Sequence, residues 1–181
     1  RPWPNYKSDY RPLIEFAKEN KIKVIAANAP RRYVNMVSRN GRNALDGLSP
    51  QAKIWLAPLP FPKPSDKYAA KFRSLMGASP ESSMGLDNIL DSQTLWDATM
   101  ADSIAKVLAS KAGSLVIHVN GSFHSESRLG TVEQLLGYRK KTRAIVVTIK
   151  QVNDYKGFDP QSDSGLGDFV ILTLAKKTPA N

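Results

Sequence analysis

Two histidines, His118 and His124, are all that this 181-residue chain carries, and both fall in one run, Ser114-Leu-Val-Ile-His-Val-Asn-Gly-Ser-Phe-His124. Imidazole is the side chain that changes charge nearest neutral pH and the commonest metal ligand among side chains. The run reads as a buried strand ending at Asn120, then Gly121, then His124, with a helix from Leu129. In α/β proteins, ligands and chemistry gather where a strand ends and the next helix begins. His124 is therefore placed to reach a metal, a proton or a bound molecule. Gly121 suits a sharp backbone turn or the close approach of a ligand. Arg128 opens the following helix, where free N–H groups favour an anion. Asn120, His124, Glu126 and Arg128 could together bind a metal, serve acid–base chemistry or hold a carboxylate; a loop histidine bonded to backbone would explain the same residues. His118, inside the strand, reads as a satisfied core histidine.

A second set is Arg31-Arg32-Tyr33, directly after the apolar run Lys23-Val-Ile-Ala-Ala-Asn28. If the runs 23–28 and 114–120 are neighbouring parallel strands, both loops open on one edge of the sheet. The two guanidinium groups could then clamp carboxylates, and the Tyr33 oxygen could ligate iron. The plainer account packs Tyr33 into the core and leaves the arginines in water. Asp97 lies one position off the apolar stripe of Trp96 and Met100, sharing a side with Gln93 and Ala101, and could face the same edge. Trp96 and Met100 themselves fit core packing.

These residues need elements to position them. Asp9, with Pro12 in the first turn, predicts a helix to about Asn20. Pro30 starts a second, ended near Ser38 by Asn40-Gly41, and Ser49-Pro50 starts a short third through Leu56. Four prolines, Pro58, Pro60, Pro62 and Pro64, make 57–65 an extended connector. Residues 66–76 could be helical, and 57–90 as a whole reads as an insertion or lid. Asp91 or Ser92 predicts the cap of the longest helix, with Trp96, Met100, Ile104, Val107 and Leu108 on one face to about Lys111. A helix from Leu129, a strand 144–149, a polar loop 153–168 and a strand 169–174 follow. The alternation predicts an α/β fold: a mostly parallel sheet with helices on both faces, in one domain spanning 1–181.

Composition narrows the function. Hydrophobic residues make up 41% and charged residues 23%, which describes a chain able to form a core. No apolar run approaches a membrane span. The absence of cysteine excludes disulfides, thiolate metal sites and cysteine nucleophiles in this chain. The net charge of +10 is spread along helices and loops, apart from short clusters around Arg31 and Arg139, and no basic–aromatic module for nucleic acid is present. Phosphate-binding glycine loops, His-Glu-x-x-His and the Gly-x-Ser-x-Gly elbow are all missing.

Taken together, Ala26-Ala-Asn-Ala-Pro-Arg-Arg-Tyr33, Leu95-Trp-Asp-Ala-Thr-Met-Ala101, Val116-Ile-His-Val-Asn-Gly-Ser-Phe-His124 and Arg128-Leu-Gly130 resemble the ChaN-like haem-binding uptake family, within the Tiki and erythromycin-esterase-like superfamily. The resemblance implies an α/β domain whose Gly-x-x-His loop, here Gly121 to His124, helps build the ligand site. It implies haem binding and iron uptake at the bacterial cell envelope, commonly as a lipoprotein that can dimerise around haem and serve outer-membrane uptake machinery. Arg31, Arg32, Asp97, Met100, Asn120, Gly121 and Arg128 would then line the cofactor, with Tyr33 or His124 as axial ligand. Tiki-like relatives imply an alternative, a metal-dependent hydrolase or protease holding a divalent ion through His124. A partner-binding domain without enzymatic activity is the third. The superfamily's first Gly-x-x-His motif has no counterpart here, and the opening Arg-Pro-Trp-Pro-Asn-Tyr suits a chain shortened at its N-terminus.

Overall fold

A computed structural model describes residues 4–77, 85–154, 156 and 158–174. A π-helical turn, Tyr6–Tyr10, leads into α1, Arg11–Glu19. Asp9, expected to cap α1, lies inside that turn instead. Next come α2, Arg31–Asn40, and α3, Pro50–Lys53, where the Ser49 hydroxyl accepts the Ala52 N–H at 3.2 Å. Helix α4, Asp66–Leu75, is capped in the same way by Ser65. Helix α5 runs 25 residues, Leu86–Ser110, and α6 spans Thr131–Tyr138. Strand β1, Val147–Val152, the short α7, Pro160–Asp163, and β2, Phe169–Leu174, complete the order. The fold is α/β: β1 and β2 pair in parallel, with Val147 opposite Phe169 and Val152 opposite Leu174. Among the described residues no helix is long and apolar enough to cross a membrane.

Helix α5 is the organising element, because apolar residues lie on several of its sides. Its Leu95 and Ala98 pack with Tyr33, Val34 and Val37 of α2 and with Leu45, Leu56, Ala57 and Phe61. Leu90 joins Tyr68, Ala69 and Phe72 of α4, and Ala101 and Ile104 join Leu135 of α6. A fully buried Leu95 or Val37 stabilises the fold by roughly 1.5–3 kcal/mol. The helix starts earlier than the cap residues suggested, since both are used elsewhere. Asp91 pairs with Arg42 at 2.7 Å, and Ser92 donates to the Ile89 carbonyl. The proline-rich connector is tied down by the same Arg42, whose guanidinium lies 3.7 Å over the Phe61 ring and donates to the Phe61 and Pro62 carbonyls.

The sheet differs from the four strands expected. Runs 23–28 and 114–120 join no hydrogen-bonded ladder among the described residues. The first run and the residue after it meet side chains of α5 instead: Ser103 Oγ donates to the Ala27 carbonyl at 3.4 Å and Trp96 Nε1 to that of Ala29 at 3.3 Å. The two-residue period persists nonetheless. Val116 packs on Ala101 and Leu135, while Leu115 and Ile117 are 87% and 83% exposed. Strand β1 follows suit, burying Thr148 and exposing Val147 and Ile149. A parallel sheet ordinarily has both faces covered; here no helix covers the second face among the described residues.

Candidate functional site

The middle of α5 places a carboxylate where the chain can least afford to desolvate one. Asp97 is 0% exposed. Burying an ion without partners is costly, and Asp97 has three. The Tyr68 hydroxyl of α4 donates to Oδ2. The Thr131 hydroxyl of α6 donates to Oδ1 at 2.8 Å, and His124 Nδ1 lies 2.9 Å from the same oxygen. His124 sits on a 3-10 turn, Ser122–His124. Four segments distant in sequence therefore meet at one buried charge. Charge-assisted hydrogen bonds of this kind are the strong ones.

The remaining faces of the His124 ring are set by aromatic neighbours. Trp96 and Phe123 approach it edge-on, with centroids 6.3 and 5.4 Å away. Trp96 also bonds Ala29, so the same indole touches the start of α2 and the histidine loop. Beyond His124 the surface forms a shallow hollow, open to solvent, of about 470 Å³. Phe72, Leu75, Met76, Ile89 and Phe123 give it apolar walls, and Gln93 adds an amide. Leu75 and Met76 are large apolar side chains left exposed there.

The other candidate residues are distributed as follows. Gly121 lines the hollow in ordinary extended backbone (φ −66, ψ 141), with nothing within 4 Å of where a Cβ would stand; it leaves room and forms no forced turn. The Asn120 amide donates to the Gly121 carbonyl. Met100 is buried. Tyr33 is buried in the α2 core with the Arg32 guanidinium 4.7 Å over its ring, while Arg31 is exposed. Glu126 pairs with Lys71 at 3.3 Å. Arg128 turns to the strands: it pairs with Asp168 at 2.8 Å and donates to the Ala144 carbonyl. Asp168 also accepts the Val146 N–H, so Arg128 ties the histidine loop to β1.

Two members of the network, Tyr68 and Thr131, carry no sequence signal strong enough to single them out, and Gly130 is visible only as the end of the run Arg128-Leu-Gly130, with no role attached. Gly130 has φ +57, and a Cβ there would stand 2.7 Å from the His124 carbonyl oxygen and 3.1 Å from Asp97 Oδ1. Burial and the Asp97 charge push the Tyr68 phenol well above its usual value of 10, so it remains a donor to Asp97 through the neutral range.

His118 stands apart. Its Nε2 is buried without a partner among the described residues, and burial, then repulsion from His124, pushes it below its ordinary 6.5. The folded imidazole stays neutral while the unfolded one takes up a proton near 6.5. The unfolded state therefore binds more protons below that value, and stability falls as pH drops from about 6.5 toward the folded value. Melting curves of the wild type and His118→Gln from about pH 7 to 5 check this. The wild type should lose stability more steeply, and equal slopes would refute the assignment.

Residues 1–135 match the family model described as "Haem-binding uptake, Tiki superfamily, ChaN". The matched span contains Tyr68, Asp97, His124, Gly130 and Thr131 and stops before β1. No curated protein and no solved structure matches the chain.

Proposed function

We propose that this chain, which belongs to the ChaN haem-binding uptake family of the Tiki superfamily, binds haem in the hollow beside His124, with that imidazole as axial ligand. One observation carries the proposal. A histidine anchored through Nδ1 on a buried carboxylate borders an open, mostly apolar hollow. Ligating histidines commonly donate their second ring nitrogen to a carboxylate, which fixes the ring and raises its basicity. The lining chemistry fits an apolar group, which Phe72, Ile89 and Phe123 would hold together with the exposed Leu75 and Met76. Gly121 leaves the mouth unobstructed. Arg31 and Arg32, at the start of α2, are not among the residues that line the hollow, and Arg32 lies over the Tyr33 ring; their pairing with the propionates is proposed from their place in the sequence alone. Bound haem would supply an iron centre for uptake or transfer; His124 would hold it, and Phe72, Ile89 and Phe123 would give it apolar walls.

The metal-hydrolase alternative asks Asp97 or Glu126 to hold an ion or a proton. Both Asp97 oxygens already accept hydrogen bonds, and Glu126 is paired with Lys71. That favours haem. A setting in iron uptake at the bacterial envelope, with a lipid anchor, outer-membrane partners and a second copy closing the open side of the hollow, is proposed along with it.

Titration with haem, followed through the Soret band, tests the reading. The wild type should saturate at one site. His124→Ala should weaken binding at least about tenfold, the lower end of what even supporting residues contribute, and change the spectrum. Tyr33→Phe should change neither, because Tyr33 is packed in the α2 core. A featureless wild-type titration, or a His124→Ala spectrum identical to it, would refute the proposal.

A further inference from the structure

We infer that Asp97, held from behind by Tyr68 and Thr131, is a positioning residue that fixes His124 as its Nδ1–H tautomer and presents the Nε2 lone pair for ligation. The inference rests on the reading of His124 as a ligand only for its purpose; the tautomer exists with or without haem.

The argument begins with donors and acceptors. An ionised carboxylate can only accept. The close approach of His124 Nδ1 to Asp97 Oδ1, 2.9 Å, therefore requires the proton on Nδ1. Nε2 makes no hydrogen bond among the described residues, and the ring borders the hollow with its side chain 18% exposed. The carboxylate cannot turn to release His124. Thr131 holds Oδ1 and Tyr68 holds Oδ2, from two helices on either side of α5. Tyr68 is itself immobilised, 0% exposed and packed 5.2 Å from the Phe123 ring, centroid to centroid. The loop carrying His124 is thus gripped twice by the same tyrosine, through the carboxylate and through the preceding aromatic residue. A carboxylate with a fixed donor on each oxygen holds one geometry, which is what a ligand preorganised for a metal requires.

Nitrogen-15 NMR of the ligand-free chain reads the imidazole tautomer directly. With only two histidines, a His118→Gln background leaves one set of ring signals. The wild-type network should give a protonated Nδ1 and a pyridine-type Nε2. Asp97→Asn, whose amide can turn either face to the ring, should shift population to the Nε2–H form and weaken haem about tenfold. Thr131→Val should move in the same direction and Thr131→Ser should not, a pair that answers the question even where Asp97→Asn fails to fold. An Nε2–H signal in the unmutated network, or no change in either Asp97→Asn or Thr131→Val, would overturn the inference. If the tautomer is as stated but haem does not bind, the positioning role stands and the haem reading falls. If haem binds and neither substitution moves the tautomer or the affinity, the reverse holds.

Discussion

Gly130→Ala is expected to destabilise the protein by at least about 3 kcal/mol, and Gly121→Ala by less than about 0.5 kcal/mol, although Gly121 is the glycine of the recognisable motif. Two penalties coincide at Gly130. The backbone has φ +57 and ψ −118, a conformation that side-chain-bearing residues rarely adopt. A methyl group would also meet the His124 carbonyl oxygen at 2.7 Å, Tyr68 Cε2 at 3.0 Å and Asp97 Oδ1 at 3.1 Å. None of these is the free end of a flexible chain, so the clash cannot be relieved without moving the histidine loop or α4. At Gly121 the backbone is already ordinary and the space is open. Thermal unfolding separates the two. For a chain of this size, Gly130→Ala should lower Tm by roughly 6–12 °C or more, and the protein that remains folded should bind haem poorly because its histidine has shifted. A Tm for Gly130→Ala within a degree or two of the wild type would show that the close packing behind the carboxylate is wrong.

The contrast between the two glycines shows what was legible in the sequence. A glycine three residues before a histidine is visible as a pattern, but whether it bends the chain depends on backbone angles that no pattern prints. The dyad was half legible. Asp97 fell one step off an apolar stripe, and helical geometry alone turned it toward the side shared with Gln93, which does line the hollow. What buries Asp97 was not legible, because Tyr68 follows a proline-rich stretch that reads as an excursion over the core. In the structure the same stretch buries Ala57 and Phe61 and leads into α4, which brings Tyr68 to the carboxylate. The place of Arg128 at a helix start suggests an anion ligand. Its φ of +60 and the Asp168 carboxylate direct it to the strands instead. Apolar periodicity located 169–174 to the residue, and β1 begins three residues later than 144 because pairing, not hydrophobicity, defines a strand. The runs 23–28 and 114–120 kept their alternation and lack a ladder for the same reason: side-chain pattern is local, whereas a hydrogen-bonded neighbour is not.

Tyr68→Ala is the other substitution with a large expected effect, about 3–5 kcal/mol, and its comparison with Tyr68→Phe divides packing from polarity. The ring is fully buried among Ala69, Phe72, Leu90 and Phe123, so its removal leaves a cavity that the helices α4 and α5 cannot close. Phenylalanine keeps those contacts and deletes only the hydroxyl, which leaves Asp97 one donor short at a cost of about 1.5–3 kcal/mol. Urea unfolding should move the midpoint in both variants with little change of slope. The alkaline limb adds a second signature. Because the folded phenol is pushed above 10 and the unfolded one is not, the wild type should lose stability as pH rises past about 10, whereas Tyr68→Phe should not show that share of the loss. A double-mutant cycle with Asp97→Asn completes the case: residues joined in one network couple by about 0.5–3 kcal/mol. Coupling near zero would mean that Tyr68 serves α4 only as a packed ring, and the histidine would then owe its orientation to Asp97 steadied by Thr131 and to the aromatic pair.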